Sequence, residues 1–357
     1  MWVDGPRHAA YRQVLAPRLR GPALQRCRPI ISNTVHTAVE ALSARTQTSL
    51  VEWARKVALS IISQIILGCT DSLLLESFRA HVEGMLGSRG RTLASRYLRL
   101  QMPSADASPF FFCPRQKLDK MLLARVTSTV NASPSALAAV LTDDRSLGVL
   151  DDRELRNQVM SLLFAGYETT AAATAWTLYW LSRQDRVRRD VIDELTATSH
   201  DGSEATKVPL LHAVSQEALR LSPPAIVAGK RMLTADGELL GKSLSAGTIV
   251  TPCIYLAHHQ SDLFPNPLRF DPDRFLGNRV PRRYYFPFGG GTRHCLGHEL
   301  AMLEIRMITA AVLRYCELHC EDPEATVPVV RGPVLVPTRR LSLSLASRHS
   351  VPRNHST

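Results

Sequence analysis

The chain has 357 residues, 45% of them hydrophobic and 21% charged, which is the composition of a soluble globular protein with a large core. No apolar run reaches membrane-spanning length; "VALSIISQIILG" (57–68) is too short and carries Ser and Gln. The net charge of +11 comes without a long Lys/Arg run or a nucleic-acid module, which disfavours nucleic acid and leaves a solvated basic surface or an acidic protein partner.

From the N-terminus, "MWVDGPRHAAYR" forms neither a signal nor a transit peptide. The seven cysteines are odd in number and lack paired spacing, so a reducing, cytoplasmic setting is expected, with no membrane anchor. Helical periodicity dominates the first part of the chain and predicts helices over roughly 6–17, 23–46, 50–68, 72–88, 115–130, 151–183, 184–197 and 209–222. The longest opens at "DDREL", where Asp151 and Glu154 have capping-box spacing. "QMPSADASPF" (101–110) and "TATSHDGSEATKV" (196–208) read as loops.

The texture changes at residue 223. Short apolar runs alternate with Gly and Pro, with a hairpin signal at "ADGE" (235–238), and "FPNPLRFDPDRF" (264–275) predicts a meander without regular structure. A further helix is expected over about 296–316, and the C-terminal "VLVPTRRLSLSLAS" ends in an alternating, strand-like segment. The prediction is a mainly α chain with a small β-rich portion and no clear interdomain linker. It is read as a single domain, 1–357, with a helical part (1–222), a β-rich part and meander (223–286), a ligand loop and following helix (287–316), and a C-terminal β segment (317–357).

Chemistry concentrates in "PFGGGTRHCLG" (287–297). A cysteine at a helix N-terminus, among free backbone N–H groups, is suited to being a thiolate. Gly289, Gly290, Gly291 and Gly297 remove side chains where backbone must turn tightly or approach something flat. Arg293 adds positive charge and a fork suited to carboxylate. These features suggest Cys295 as a thiolate ligand of a large planar cofactor, but other readings stay open. A phosphate loop would need a Lys-Ser/Thr that is absent. A nucleophilic cysteine would need His294 or His298 placed beside it. Zinc would need His294, Cys295 and His298, or Cys316, His319 and Cys320, at unfamiliar spacings. A structural turn around a buried cysteine is the bland alternative.

At these residues the sequence resembles the cytochrome P450 family. Phe288, Gly291, Arg293, Cys295 and Gly297 fit that family's haem-binding signature. "AGYETT" (165–170) is similar to its oxygen-activating helix motif, in which Gly166 lets a helix widen and the Thr169 hydroxyl diverts a carbonyl's hydrogen bond. "EALR" (217–220) matches its Glu-x-x-Arg pair, and the downstream "FDPDRF" supplies the meander arginine. His8 and Arg12 in "HAAYR", with Arg231 in "AGKRML", sit where the family holds the haem propionates.

The resemblance implies a cytochrome P450 fold and a haem-thiolate monooxygenase of the soluble bacterial type. The implied cofactor is haem b (iron protoporphyrin IX), with Cys295 as metal ligand. His8, Arg12, Ala165, Gly166, Arg231, Phe288, Gly291, Arg293 and Gly297 line the cofactor site, and Glu168 and Thr169 deliver protons. Glu217, Arg220 and Arg274 form a structural triad, while Leu162, Ile226, Val227 and Ala228 face an apolar small-molecule substrate. Dioxygen is the second substrate, and electrons come from a separate ferredoxin or ferredoxin/flavin reductase. Arg282, Arg283, Arg293, Arg306 and Arg314 are expected to form a basic docking face for it. Members of the family carry further helices, two strands and a roof loop before the His-x-x-x-Arg helix. The resemblance therefore implies a chain that is N-terminally truncated or starts at an internal methionine. The rival readings are a haem-binding pseudoenzyme and a non-haem interaction protein on the same scaffold.

Overall fold

The computed structural model describes residues 3–42, 47–86, 109–198, 207–277, 280–281, 283–320, 328–337 and 341–345. Four helices come first. Helix α1 (Gly5–Leu15) starts on a proline in its first turn, where the missing N–H costs no helical bond. It is followed by α2 (Leu24–Glu40), α3 (Leu50–Leu67) and α4 (Ser72–Leu86). α3 is buried along nearly its whole length, so its apolar residues show no clean amphipathic stripe. It stops at Gly68, whose φ of +69° closes the helix in the left-handed region while its N–H bonds the Gln64 carbonyl.

Next come α5 (Pro109–Ala132), α6 (Leu137–Asp143) and the 31-residue α7 (Asp152–Ser182). α7 is capped by Asp151, whose carboxylate accepts the Glu154 N–H at 2.7 Å. The expected return bond of a capping box is not made, because the Glu154 carboxylate is held by Arg7 and Tyr11 of α1. α8 (Asp185–Ala197) and α9 (Pro209–Leu221) complete the helical part. α7 runs through the centre and lies closely against α3. A Cβ on Gly166 of α7 would come within 2.6 Å of Ile62 of α3. The glycine thus serves close helix packing, a different reason from the helix widening that the sequence suggested. Trp176, also on α7, is fully buried and donates its indole N–H to the Leu335 carbonyl at 3.0 Å.

The strands are short. β2 (Arg231–Met232) pairs with β5 (Ile249–Val250), β3 (Gly237–Leu239) with β4 (Lys242–Leu244), and β7 (Val329–Arg331) with β8 (Val334–Val336). The hairpin expected at "ADGE" turns further on, at Leu240–Gly241, both in the left-handed region as a type I′ turn requires. Asp236 instead accepts the Ala246 N–H at 2.8 Å, bracing the hairpin's base. A three-stranded antiparallel sheet, β1 (Thr48–Ser49), β9 (Leu341–Leu345) and β6 (Cys316–Cys320), ties the start of α3 to the C-terminal segment, with Thr48 opposite Leu343 and Cys316 opposite Leu345. The short α10 (Ile254–His258) and the final helix α11 (His298–Tyr315) flank the meander and the cysteine loop. One buried apolar cluster runs from Tyr11 of α1 to Leu343 of β9, and a second joins α8, α9 and Phe270 of the meander.

Relative to expectation, α2 stops at Glu40 rather than 46, α5 begins six residues early, and α6 was not foreseen. Residues 101–108 and 199–206 of the predicted loops, and Arg282, lie outside the described residues.

Candidate functional site

The cysteine loop is held at both ends. The Cys295 N–H donates to the Phe288 carbonyl at 2.9 Å, which folds residues 288–295 into a closed turn. Gly289 and Gly291 have φ of +69° and +63°, so these two glycines are required by backbone conformation. Gly290 is extended, and Gly297 caps α11 with ordinary angles. Phe288 packs against the apolar cluster formed by Ala173 of α7, Leu219 of α9, and Met302 and Ile305 of α11, which anchors the loop to the helical core.

Around the sulfur, the Gly297 N–H hydrogen-bonds to Cys295, and the Arg12 and Arg20 guanidiniums lie near enough to favour its charged form. Burial is the larger effect and pushes the thiol up. Arg12 donates to the His294 carbonyl at 2.7 Å, so α1 is fastened directly to the loop. His8, one turn earlier, is buried; desolvation, then the Arg293 and Arg12 charges, keep its imidazole neutral below its ordinary range. Arg293 donates to the Val3 carbonyl at 2.6 Å and pairs with the Asp4 carboxylate. His8, Arg12, Arg293 and Cys295 are therefore brought together. Arg231 is not brought to them: it lies exposed on β2, curls back over Gly229 and donates to the Lys230 carbonyl at 3.0 Å.

α7 has two faces here. Ala165 is exposed and Thr169 half-exposed, in a helix whose residues 170–179 are all buried. The Thr169 hydroxyl donates to the Ala165 carbonyl at 2.6 Å, as expected from its sequence. Glu168 points the other way and is buried to 1% exposure, 3.3 Å from Arg55 of α3 and 3.7 Å from Arg331 of β7. Burial raises its carboxyl, and the two arginines oppose that rise. Arg331 also pairs with Glu83 of α4 at 2.5 Å and Arg55 with Glu52 at 2.9 Å, so the acid sits in a five-residue network.

The Glu217–Arg220–Arg274 triad forms. Arg220 is fully buried and grips Glu217 bidentately at 2.7 and 2.8 Å. Its remaining donors reach the carbonyls of His258, Pro267 and Arg269 at 2.8, 2.8 and 3.2 Å. Arg274 lies 3.5 Å from Glu217 and donates to the Pro265 carbonyl at 2.6 Å. His258 extends the brace: its Nε2 accepts the Phe286 N–H at 3.0 Å, and burial drives its pKa down to about 3, which keeps that acceptor neutral.

Of the substrate residues, Leu162 is buried in the main core, Ile226 and Ala228 are half-buried, and Val227 is 44% exposed. Of the arginines expected on a docking face, Arg283 is exposed over the Tyr284 ring, whereas Arg306 donates to the Met302 carbonyl and Arg314 to the Leu195 carbonyl. Sequence reasoning missed Arg55, Arg331 and His258. Arg55 did carry a weak signal, a charged residue inside the largely apolar run "VEWARKVAL"; the other two did not. Neither zinc alternative is supported, since no three His, Cys, Asp or Glu side chains cluster as a metal site among the described residues.

This donor set fits haem. A soft, nearly enclosed sulfur receives a backbone N–H, two guanidiniums able to pair with carboxylates stand beside it, and a mid-helix alanine is left exposed.

The family model for cytochrome P450 matches residues 2–345. A putative cytochrome P450 135A1 of Mycobacterium tuberculosis is 30% identical over 355 residues, covering 97% of this chain and 76% of that one. The putative cytochrome P450 135B1 of Mycobacterium bovis is 28% identical over 362 residues, covering 98% and 74%. Human cytochrome P450 4A11 is 33% identical over 189 residues, about half of this chain and 36% of its own length. Among solved structures, the retinoic acid-bound cyanobacterial CYP120A1 superposes with a TM-score of 0.79 at 25% identity, covering 95% of this chain and 78% of that one. The cytochrome P450DA haem domain, with a TM-score of 0.76 at 19% identity, shares the fold. Members of the family use haem, dioxygen, a redox partner and an organic substrate. A match that runs almost end to end, in sequence and in shape, makes this chain a member of the cytochrome P450 family, a haem-thiolate monooxygenase.

Proposed function

We propose that the chain binds haem b through Cys295 and oxidises an apolar small organic molecule in the cytoplasm, using electrons from a separate ferredoxin or ferredoxin/flavin reductase. The observation that carries this reading is the closed cysteine loop, in which the Gly297 N–H meets the sulfur and Arg12 ties α1 to the same turn. Haem, when bound, supplies the activation of dioxygen and the transfer of one of its oxygen atoms.

The chain's own residues do the rest. Against the larger effect of burial, the Gly297 N–H and the Arg12 charge favour negative charge on the Cys295 sulfur. Arg12, Arg293 and His8 would hold the propionates; Arg293 would exchange its Asp4 contact for one of them. Thr169 Oγ1 holds a proton next to the exposed Ala165, and Glu168, whose carboxyl burial raises against Arg55 and Arg331, is the acid one residue away that would resupply it. Ile226, Val227 and Ala228 present apolar surface to the substrate, and the retinoic acid of the cyanobacterial neighbour supports an apolar compound. Arg283 is the exposed cation that an acidic electron donor would meet beside the cysteine loop.

The test is the spectrum of the dithionite-reduced, CO-treated protein beside Cys295→Ala. A red-shifted Soret band that disappears in the variant supports thiolate ligation. A wild-type protein that takes up no haem refutes it.

A further inference from the structure

The buried acid of α7 sits where two other carboxylates compete for its cations. Arg55 of α3 lies 3.3 Å from Glu168 but 2.9 Å from Glu52, and Arg331 of β7 lies 3.7 Å from Glu168 but 2.5 Å from Glu83 of α4. Each guanidinium therefore gives its shorter contact to a carboxylate other than Glu168. Both approach the same Glu168 oxygen, Oε2, and neither Glu168 oxygen makes a hydrogen bond among the described residues. The hairpin that carries Arg331 is pressed onto α4 so closely that a Cβ on Gly332 would overlap Leu86, which fixes the Arg331–Glu83 pair in place. The Tyr167 phenol beside the acid is fully buried; burial raises it, and it stays neutral.

The charges do not balance if every group ionises. Glu52, Glu83 and Glu168 are three carboxylates facing two guanidiniums, Arg55 and Arg331, so one negative charge is left over. That charge is removed most readily where water is absent. The Glu168 side chain is 0% exposed, against 34% for Glu52 and 40% for Glu83, so Glu168 is the group that takes the proton. The direction of its shift agrees: burial raises the carboxyl first, Arg55 and Arg331 oppose the rise, and the Glu83 charge adds to it. The pairs Arg55–Glu52 and Arg331–Glu83 would brace α3, α4 and the hairpin without any third carboxylate.

We infer that Glu83 and Glu52 are positioning residues for Glu168: by holding Arg331 and Arg55 they keep a proton on its carboxyl. Without Glu83, Arg331 is released to Glu168 Oε2, the competing negative charge is gone, and Glu168 ionises. The charge of an acid on α7 thus depends on how α4 and the β7–β8 hairpin sit together. Its consequence for catalysis rests on the reading of Glu168 as the acid that resupplies Thr169; the protonation state itself does not.

The experiment is an infrared pH titration of the haem-loaded protein that follows the C=O stretch of protonated carboxyl groups. Each protein is compared with the same protein carrying Glu168→Gln, so that the difference isolates Glu168. In wild type the Glu168 band should persist above the ordinary carboxyl range. In Glu83→Gln it should disappear at least one pH unit lower, a tenfold fall in proton affinity, and Glu83→Asp should restore it. Glu52→Gln, at a half-exposed position, should lower it in the same direction through Arg55 and carries the test if Glu83→Gln does not fold. Arg331→Gln should move the titration upward. A merely structural brace, loosened from either end, would admit water and move every variant the same way. A wild-type Glu168 already ionised in the ordinary range, an unmoved titration in the glutamate variants, or a downward shift in Arg331→Gln would overturn the inference. Titrations that move as expected while the pH profile of turnover stays put would uphold it and refute the proton-delivery role of Glu168 instead.

Discussion

Glu304 offers a direct measurement of what an isolated buried acid does to this fold. It lies on the inner face of α11, 1% exposed, and its Oε2 has no hydrogen-bond partner among the described residues. Burial alone pushes its carboxyl well above the ordinary range; the neighbouring Cys27 thiol is raised to about 11 by its own burial first and by Glu304 second. The folded protein therefore keeps the Glu304 proton at pH values where the unfolded chain has released it. Between the unfolded pKa near 4.5 and the raised folded one, folding takes up a proton, so stability is full below 4.5 and falls as pH rises. The slope is about 1.4 kcal/mol per pH unit for one proton. Glu304→Gln keeps the shape and removes the titration. Urea unfolding of both proteins by circular dichroism, from pH 4.5 upward, should show the variant gaining about 1.4 kcal/mol per unit over wild type until the folded carboxyl itself titrates. Other shifted groups, such as Glu217 and Glu168, cancel in this difference because both proteins contain them. Parallel stability profiles would refute the reasoning.

Gly166→Ala should destabilise by about 1–3 kcal/mol, since its Cβ would fall 2.6 Å from Ile62; Ile62→Ala in the same chain should recover part of the loss, as thermal melts would show. Glu217→Gln should cost about 3–5 kcal/mol by leaving the fully buried Arg220 without its anion, measured by urea unfolding and by the fraction of haem retained on gel filtration. Glu154→Gln loosens Arg7 and Tyr11 from α7, and a loss of about 1 kcal/mol in chemical denaturation is expected. In the same variant the Tyr11 phenol, held near 12 by burial first and by Glu154 second, should titrate at lower pH by ultraviolet absorbance.

The helices were legible because their periods and caps are local: Asp151 opens α7 and Gly68 closes α3 where the residue types require. The cysteine loop was legible for the same reason, its Gly289 and Gly291 being needed by the turn itself. What sequence could not give was partnership across long separations. Glu154 looked like half of a capping box and is instead the anchor for α1. Gly166 looked like a feature of its own helix and is a feature of the contact with α3. Arg231 has the right local surroundings, but on its two-residue strand it turns away from Arg12 and Arg293. Arg306 and Arg314 read as surface charge until their carbonyl partners on α11 and α8 appeared.

The reach of Arg220 has one more consequence. It secures the segment from His258 to Arg269 through main-chain oxygens, which every amino acid carries, so these particular contacts are indifferent to the side chains of Pro267 and Arg269. Leu268, 73% exposed between two gripped positions, shows how little the neighbouring side chains are asked to do. Exposed positions such as Leu268 can therefore change while the segment keeps its path, provided its length is preserved, because an inserted residue would move the oxygens out of register with a guanidinium that cannot follow.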